Sequence, residues 1–265
     1  MLRGYIKDSG IVIKQFDVGE IDRIVVVFTK EMGKIQVMAK GARKVGNRLG
    51  GALDKFVLSE FLFYAGRSLP VVVQAEIKKS FRMLARSFEK WLLGNYILYL
   101  IDQAIEGGSQ QERLFGEVLK IFAFADGSPP EAVRRGVLKF KLVLLKCLGL
   151  QPRLTSCAVC NREGKTFNYW SHAEGGVMCG NCASKPELAK SCAPISQDMP
   201  SIWLHLLHLP YPSLSKLKLT GDQFFHLDEL SSQYFSHHLN KDTWSIEAFL
   251  ARYPEKPTAS ESERS

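Results

Sequence analysis

The stretch Ile24-Val-Val-Val-Phe-Thr-Lys-Glu-Met-Gly-Lys-Ile-Gln-Val-Met-Ala39 decides how the first third of the chain folds. Ile24 to Phe28 is a nearly continuous apolar run of strand length, and Lys30-Glu-Met-Gly33 reads as a turn. Beyond it Ile35, Val37 and Ala39 alternate with Lys34, Gln36, Met38 and Lys40. That period of two predicts one buried face and one partly cationic face. Working outward, Ile11 to Phe16, Phe56 to Tyr64 and Val71 to Ile77 read as three more strands, the last two split by Gly66-Arg-Ser-Leu-Pro70. Gly41 to Gly51 is glycine-rich with no apolar period and reads as a mobile loop. Five short strands within residues 1–80 predict a small closed barrel, which leaves no exposed sheet edge.

Past Phe81 the period changes from two to about 3.6, the spacing of one helical face. Phe88, Trp91, Leu92, Tyr96, Tyr99 and Leu100 share a side, and Leu114, Phe115, Val118, Leu119 and Phe122 form a second stripe. Asp126-Gly-Ser-Pro-Pro130 ends that stripe. Ser128 with Glu131 predicts a capping box for a third helix, which carries Val133, Val137, Phe140, Leu144, Leu145 and Leu148 and closes at Gly149. Weaker helices are expected near Pro200–Leu207 and Asp222–Leu239. The expected fold class is α+β: a five-stranded OB-fold β-barrel over 1–80, then an α-helical domain over 81–253 with an inserted four-cysteine zinc finger at 153–185. The tail 254–265 reads as unstructured.

The 265 residues carry a formal charge of +8, with 46% hydrophobic and 23% charged residues, a composition that excludes disorder across the whole chain. The excess charge lies early. Up to Lys79 there are fourteen cations against eight acids, a net of +6. Lys34, Lys40, Arg43, Lys44 and Arg48 form the densest cluster, with Lys14 and Arg23 on neighbouring strands. A five-stranded barrel with cationic strand and loop surfaces is how OB-folds track a phosphate backbone, although a solvated charged face would look the same. Asp17, Glu20 and Asp22 read as an acidic turn in solvent. No apolar run reaches the ~20 residues of a membrane span, and the start lacks the marks of a signal peptide, so a cytoplasmic protein is expected.

Six cysteines in a reducing compartment suggest metal or catalysis before disulfides. Cys157-Ala-Val-Cys160 and Cys179-Gly-Asn-Cys182 are separated by eighteen residues, the spacing of two knuckles around a tetrahedral structural zinc ion. Phe167-Asn-Tyr-Trp170 and Gly175-Gly-Val-Met178 read as the hairpin that brings the knuckles together. Four thiolates leave the metal no open position for water, so a role in structure is expected and chemistry is not. His172 is read as a surface histidine, Cys147 as a buried thiol and Cys192 as a bystander. No phosphate loop, dinucleotide fingerprint, nucleophile elbow or HExxH helix occurs. His205, His208, His226, His237 and His238 form no ligand pattern with Asp228 or Glu229. The chain therefore reads as non-catalytic, with no small-molecule substrate.

In order and spacing, several pieces resemble the RecO family of bacterial recombination mediators. They are Gly19-Glu-Ile-Asp22, Thr29 to Gly33, Lys40-Gly-Ala-Arg-Lys44, Leu53-Asp-Lys-Phe56, Leu148-Gly-Leu-Gln-Pro152, and Gly175-Gly176 between the cysteine pairs. The likeness covers most of residues 10–185. It departs at Lys55, where the family often has proline, and some members lack the cysteines. The resemblance implies binding of single- and double-stranded DNA, annealing of complementary strands and no enzymatic activity. It further implies partnership with RecR and single-strand-binding protein, so that recombinase is loaded onto gapped DNA. A pocket for the acidic-hydrophobic tail of single-strand-binding protein would lie on the helical domain. Rival readings are a zinc-ribbon transcription or translation factor, a thiol-redox protein using Cys157 and Cys160, and an adaptor that binds no nucleic acid.

Overall fold

The computed structural model describes residues 4–66, 68–108, 110–164 and 166–253. Arg3, Arg67 and the tail 254–265 expected to be unstructured lie outside the described residues. Five strands, β1 (Gly4–Val18), β2 (Asp22–Thr29), β3 (Gly33–Ala39), β4 (Val57–Ala65) and β5 (Val71–Ser80), close into a barrel in the order β1-β2-β3-β5-β4. Every pairing is antiparallel except β3 with β5. This is the expected α+β architecture with an OB-like barrel at its head. β1 starts seven residues before the apolar run at Ile11, because Gly4 to Ile11 pair with Leu58 to Ala65 of β4 and seal the barrel.

The unbroken apolar character of β1 and β2 follows from burial on both sides. Val12, Val25 and Val27 point into the barrel with Val37, Phe61 and Phe63. Ile11, Ile13, Val26 and Phe28 belong instead to the core shared with the helices. A bulge at Ile13, where the register steps from Val12↔Val27 to Lys14↔Val26, adds a residue to β1 at this junction.

The helices follow as α1 (Arg82–Arg86), α2 (Phe88–Ala104), α3 (Glu112–Gly127) and α4 (Pro130–Cys147). α2 lies close to the barrel. A Cβ at Gly94 would stand 2.7 Å from the Phe56 ring, so only glycine admits that ring here. Phe56 itself holds a left-handed φ of 62° and sets its ring edge-on to Phe122. Phe88, expected on the apolar side of α2, is 42% exposed. The expected capping box is also corrected. α4 starts with Pro130 at its first position behind Pro129, no side chain caps it, and Ser128 ends α3 instead. Pro129 takes the N-cap position, so Ser128 stands one residue outside it and does not cap the first-turn amides. The far end is as expected: Gly149 has φ +75°, and the amides of Gly149 and Leu150 bond to Lys146 and Leu145 in a Schellman closure.

After α4 come the hairpin β6 (Tyr169–Ser171) and β7 (Gly176–Met178), the short helices α5 (Gly180–Ala183) and α6 (Pro186–Ala189), and β8 (Ala193–Pro194) against β6. The last helices are α7 (Met199–His208), α8 (Gly221–Leu239) and α9 (Ile246–Leu250). Buried lysines tie them together. Lys90 donates to the Asp126 carbonyl at the end of α3, and Lys139 to the Leu206 and Leu207 carbonyls at the end of α7. Cations there satisfy orphan carbonyls and match the helix dipole. Lys141 is fully buried with Asp228; it also donates to Ser232 Oγ and the Asp228 carbonyl, while Asp228 Oδ2 accepts the Ile246 N–H. Burial lowers the Lys141 pKa, opposed by Asp228. No helix among the described residues is long and apolar enough to cross a membrane.

Candidate metal cluster and cationic barrel end

The sulfurs of Cys157, Cys160, Cys179 and Cys182 all lie within 4.8 Å of one another. The first knuckle closes on itself: the Asn161 amide bonds to the Cys157 carbonyl and the Cys157 amide to the Arg162 carbonyl, with Asn161 at φ 59°. The second winds into α5, whose Cys182 and Ala183 amides bond to the Cys179 carbonyl. Antiparallel β6 and β7 form the predicted hairpin between them, and the Ala158 amide bonds to the Val177 carbonyl. Gly176, at φ 153°, makes the join possible: a Cβ there would lie 2.3 Å from the Arg153 carbonyl oxygen.

A tetrahedral metal with sulfur ligands at about 2.3 Å places the sulfurs roughly 3.8 Å apart. Cys160 and Cys179 are separated by 3.8 Å. The thiols also differ in acidity. Burial pushes the Cys157 thiol up, but the Cys160, Cys179 and Val159 amides pull it down to about 6. Cys182 is pushed up to about 12 by burial and by its neighbouring sulfurs. Four thiolates at this distance repel one another strongly, and a divalent cation among them would relieve that repulsion. The cluster can therefore hold a metal ion. His172, expected at the surface, is half-buried and accepts a hydrogen bond from Trp170 Nε1 at 3.1 Å; burial lowers its pKa. Cys147, expected buried, is half-buried at the end of α4. Cys192 is half-buried against the core, with its sulfur near the Ala183 and Ala189 carbonyls.

The cations singled out in the barrel fall into two groups. Lys34 Nζ donates to the Asp102 carbonyl at 2.7 Å and pairs with its carboxylate at 3.4 Å, and Lys14 pairs with the same carboxylate at 2.5 Å. Both are thus committed to the last turn of α2. The cationic face expected on β3 points at its Lys34 end into the helical domain, where Val26 and Phe28 are buried. The other group lies at the opposite end of the strands. Arg43 hydrogen-bonds the Gly19 carbonyl and sits 3.6 Å from Asp17, while Arg23 bonds to Asp17 and Gln15 at 2.9 Å. Lys40, Lys44 and Arg48 are exposed and have no ion-pair partner among the described residues.

The segment 41–51, expected to be mobile, is a run of turns held at several points. Asp22 Oδ1 accepts the Gly41 N–H, Ile21 accepts the Arg43 N–H, and the Asn47 side chain bridges Gly41 and Leu49. Asp17 and Asp22, read as acids in solvent, brace this loop. The late histidines, read from the sequence as forming no ligand pattern, are not gathered into a metal-ligand group among the described residues. His205, His208, His226 and His237 are exposed, and Asp228 is occupied by Lys141.

A groove of about 660 Å³ on the helical domain is lined by residues that the sequence does not single out. Arg113, Lys120, Lys139 and Lys146 line it over a floor that includes Phe124 and Tyr211. The Tyr211 hydroxyl is buried without a hydrogen-bond partner. Its sequence signal is plain in retrospect: Arg113 with Lys120, and Lys139 with Lys146, are each seven apart, which puts each pair on one helical side.

The family model described as recombination protein O N terminal matches residues 1–81, and that described as recombination protein O C terminal matches 85–247. Among curated proteins, the chain is 30% identical to the DNA repair protein RecO of Alkaliphilus metalliredigens over 239 residues, 89% of this chain and 94% of that one. It is 29% identical to the DNA repair protein RecO of Pelotomaculum thermopropionicum over 254 residues, 96% of each. The corresponding protein of Desulforamulus reducens shares 29% over 236 residues, 89% of this chain and 90% of that protein.

Gly176 offers a direct check on the cysteine module. Gly176→Ala should force the Arg153 strand away and open the knuckles. Thiol-reagent kinetics should then show the buried Cys157 and Cys182 reacting at least about tenfold faster, a change of roughly 1.4 kcal/mol in local opening.

Proposed function

The chain belongs to the recombination protein O family, and from that membership we propose that it acts in DNA repair as a recombination mediator. In this reading it binds single- and double-stranded DNA without sequence preference, anneals complementary strands, and works with RecR and single-strand-binding protein to place recombinase on gapped DNA. The observation that carries the DNA-binding part is the exposed set Lys40, Lys44 and Arg48, presented by a braced loop at one end of the barrel. Its task is electrostatic. Cations that displace condensed counterions gather two polyanions and screen their repulsion, so pairing needs no covalent step.

The four-cysteine cluster is proposed to hold a structural zinc ion. A redox role is disfavoured by the crowding of four sulfurs, since a thiol-disulfide site needs only two. Protein purified under reducing conditions should carry one zinc per chain. Of its six thiols, only Cys147 and Cys192 should react until a chelator is added. Because the ligands bind as thiolates, acidification should release the metal and alkaline pH should not.

The groove beside α3, α4 and α7 is proposed as the seat of the acidic-hydrophobic tail of single-strand-binding protein. Lys139 is tied to the Leu206 and Leu207 carbonyls and Lys120 to Glu117, so Arg113 and Lys146 are the cations that suit the acidic part. The apolar floor suits the hydrophobic end, and the Tyr211 hydroxyl, without a partner among the described residues, can donate to a carboxylate. Arg113→Ala with Lys146→Ala should weaken a fluorescent tail peptide roughly tenfold or more, as expected when two charge-assisted contacts are lost. Oligonucleotide binding should not change. Equal peptide affinity in this variant would place the tail elsewhere.

Fluorescence anisotropy of oligonucleotides at two salt concentrations tests the central claim. Replacing Lys40, Lys44 and Arg48 with Ala should weaken binding to all sequences alike. It should flatten the salt slope by about two on single strands and about three on duplex. Lys34→Ala, which removes a cation already engaged by Asp102, should leave the slope unchanged. The opposite pattern would refute this placement of the DNA face.

A further inference from the structure

Where the barrel meets the helical domain, a groove of about 420 Å³ is lined by Lys14, Lys55, Trp91, Tyr99, Trp244 and Tyr253, among others. Its aromatic rings are arranged in layers. Tyr99 stacks on Trp244 with centroids 5.2 Å apart and planes 12° apart, and the Arg252 guanidinium sits 3.5 Å from the Trp244 ring centre. Trp91 lies nearly parallel to Phe88 at 6.3 Å. Trp91, Tyr99 and Trp244 are only half-buried, while Phe88 and Tyr253 are 42% and 45% exposed. An ordinary core would cover such rings, and a surface chosen only for solubility would not gather them.

The charges beside these rings are unbalanced. The Lys55 ammonium is half-buried, donates to Asn95 Oδ1 at 2.6 Å and has no carboxylate partner among the described residues. Burial lowers its pKa, the sign of a cation lacking a counter-ion. Lys14 and Lys34 share the single carboxylate of Asp102, which leaves positive charge over at this edge. A second groove, of about 560 Å³, shares Lys55 and Trp91 with the first and runs to Gly51 and Asp54. Gly51 ends the loop 41–51, three residues past Arg48, so the second groove reaches from the aromatic groove to the foot of that loop.

We propose that this junction groove is a base-stacking site for single-stranded DNA, in which unpaired bases add to the layers ending at Arg252 and Tyr253 while Lys55 meets a phosphate. The inference rests on the DNA-binding reading given above and extends it by naming a place where single strands are told from duplex. Only unpaired bases expose faces that can stack on Arg or aromatic planes, and a neighbouring cation track holds the backbone. The arrangement suits a mediator, which must hold a strand whose bases are not yet paired.

The test uses intrinsic tryptophan emission of the full chain at low salt. Trp170 and Trp203 are 1% and 0% exposed, so quenching by a ligand reports on Trp91 and Trp244. An oligo-dT strand should quench the emission, whereas an abasic strand of equal length should bind more weakly and leave it unchanged. Trp91→Phe and Trp244→Phe should each remove part of the quench. The pair Arg252→Ala with Tyr253→Ala, exposed positions at the end of the described chain, should weaken oligo-dT about fivefold or more and leave duplex affinity as it was. If oligo-dT and the abasic strand bind equally with no change in emission, the groove is not a DNA site, and the barrel loop alone carries the mediator reading. If no oligonucleotide binds at low salt, both readings fall together.

Discussion

The rest of the molecule depends on the burial of β1 and β2 from both sides. One set of their side chains fills the barrel, and Ile11, Ile13, Val26 and Phe28 fill a seam against the helices. Fully burying a large apolar side chain stabilises by about 1.5–3 kcal/mol, so those four residues contribute on the order of 6–12 kcal/mol. A typical domain has a net stability of only about 5–15 kcal/mol. The barrel therefore has little reason to exist apart from the helices, and the two parts should behave as one cooperative unit. Phe28 against Phe115, with ring centres 5.5 Å apart, and Phe56 against Phe122 fix the angle at which they meet.

That docking also sorts the charges. Once the outer face of β1 and β2 is covered, Lys14 and Lys34 come within reach of the C-terminal end of α2, where Asp102 and the helix dipole both favour cations. They are consumed as struts. Lys40, Lys44 and Arg48 remain outward because their loop, braced within by Asn47, is tied by Asp22 and the Ile21 carbonyl to the far end of the barrel. Composition alone shows a basic module; the helical domain decides which of its cations are available to a polyanion.

These two facts explain what could be read in the sequence. The alternation from Lys34 to Lys40 and the run from Ile24 to Phe28 marked the strands without ambiguity, and the cysteine spacing marked the four-sulfur cluster. Such patterns are local. A continuous apolar run does not say what covers its second face, and the partner of Lys34 lies 68 residues away with no motif joining them. The loop 41–51 reads as mobile because it has no apolar period, whereas its order comes from polar ties, Asn47 within the loop and Asp22 on a neighbouring strand. The capping box failed for a local reason: Pro129 and Pro130 start the helix where a serine would otherwise be needed.

The same separation of roles bears on mechanism. A surface that anneals strands must bind firmly enough to gather them and loosely enough to release the duplex. Ion pairing engages strands and product both, and the denser charge of the duplex favours the product, so it accelerates encounter without helping release. Discrimination needs a contact that pairing destroys, and base faces are the contact that disappears when two strands come together. In the proposed reading, the aromatic layers at the junction are that contact. The docked helices that engage Lys14 and Lys34 through Asp102 also bring Trp91, Tyr99 and Trp244 to the groove that Lys14 lines.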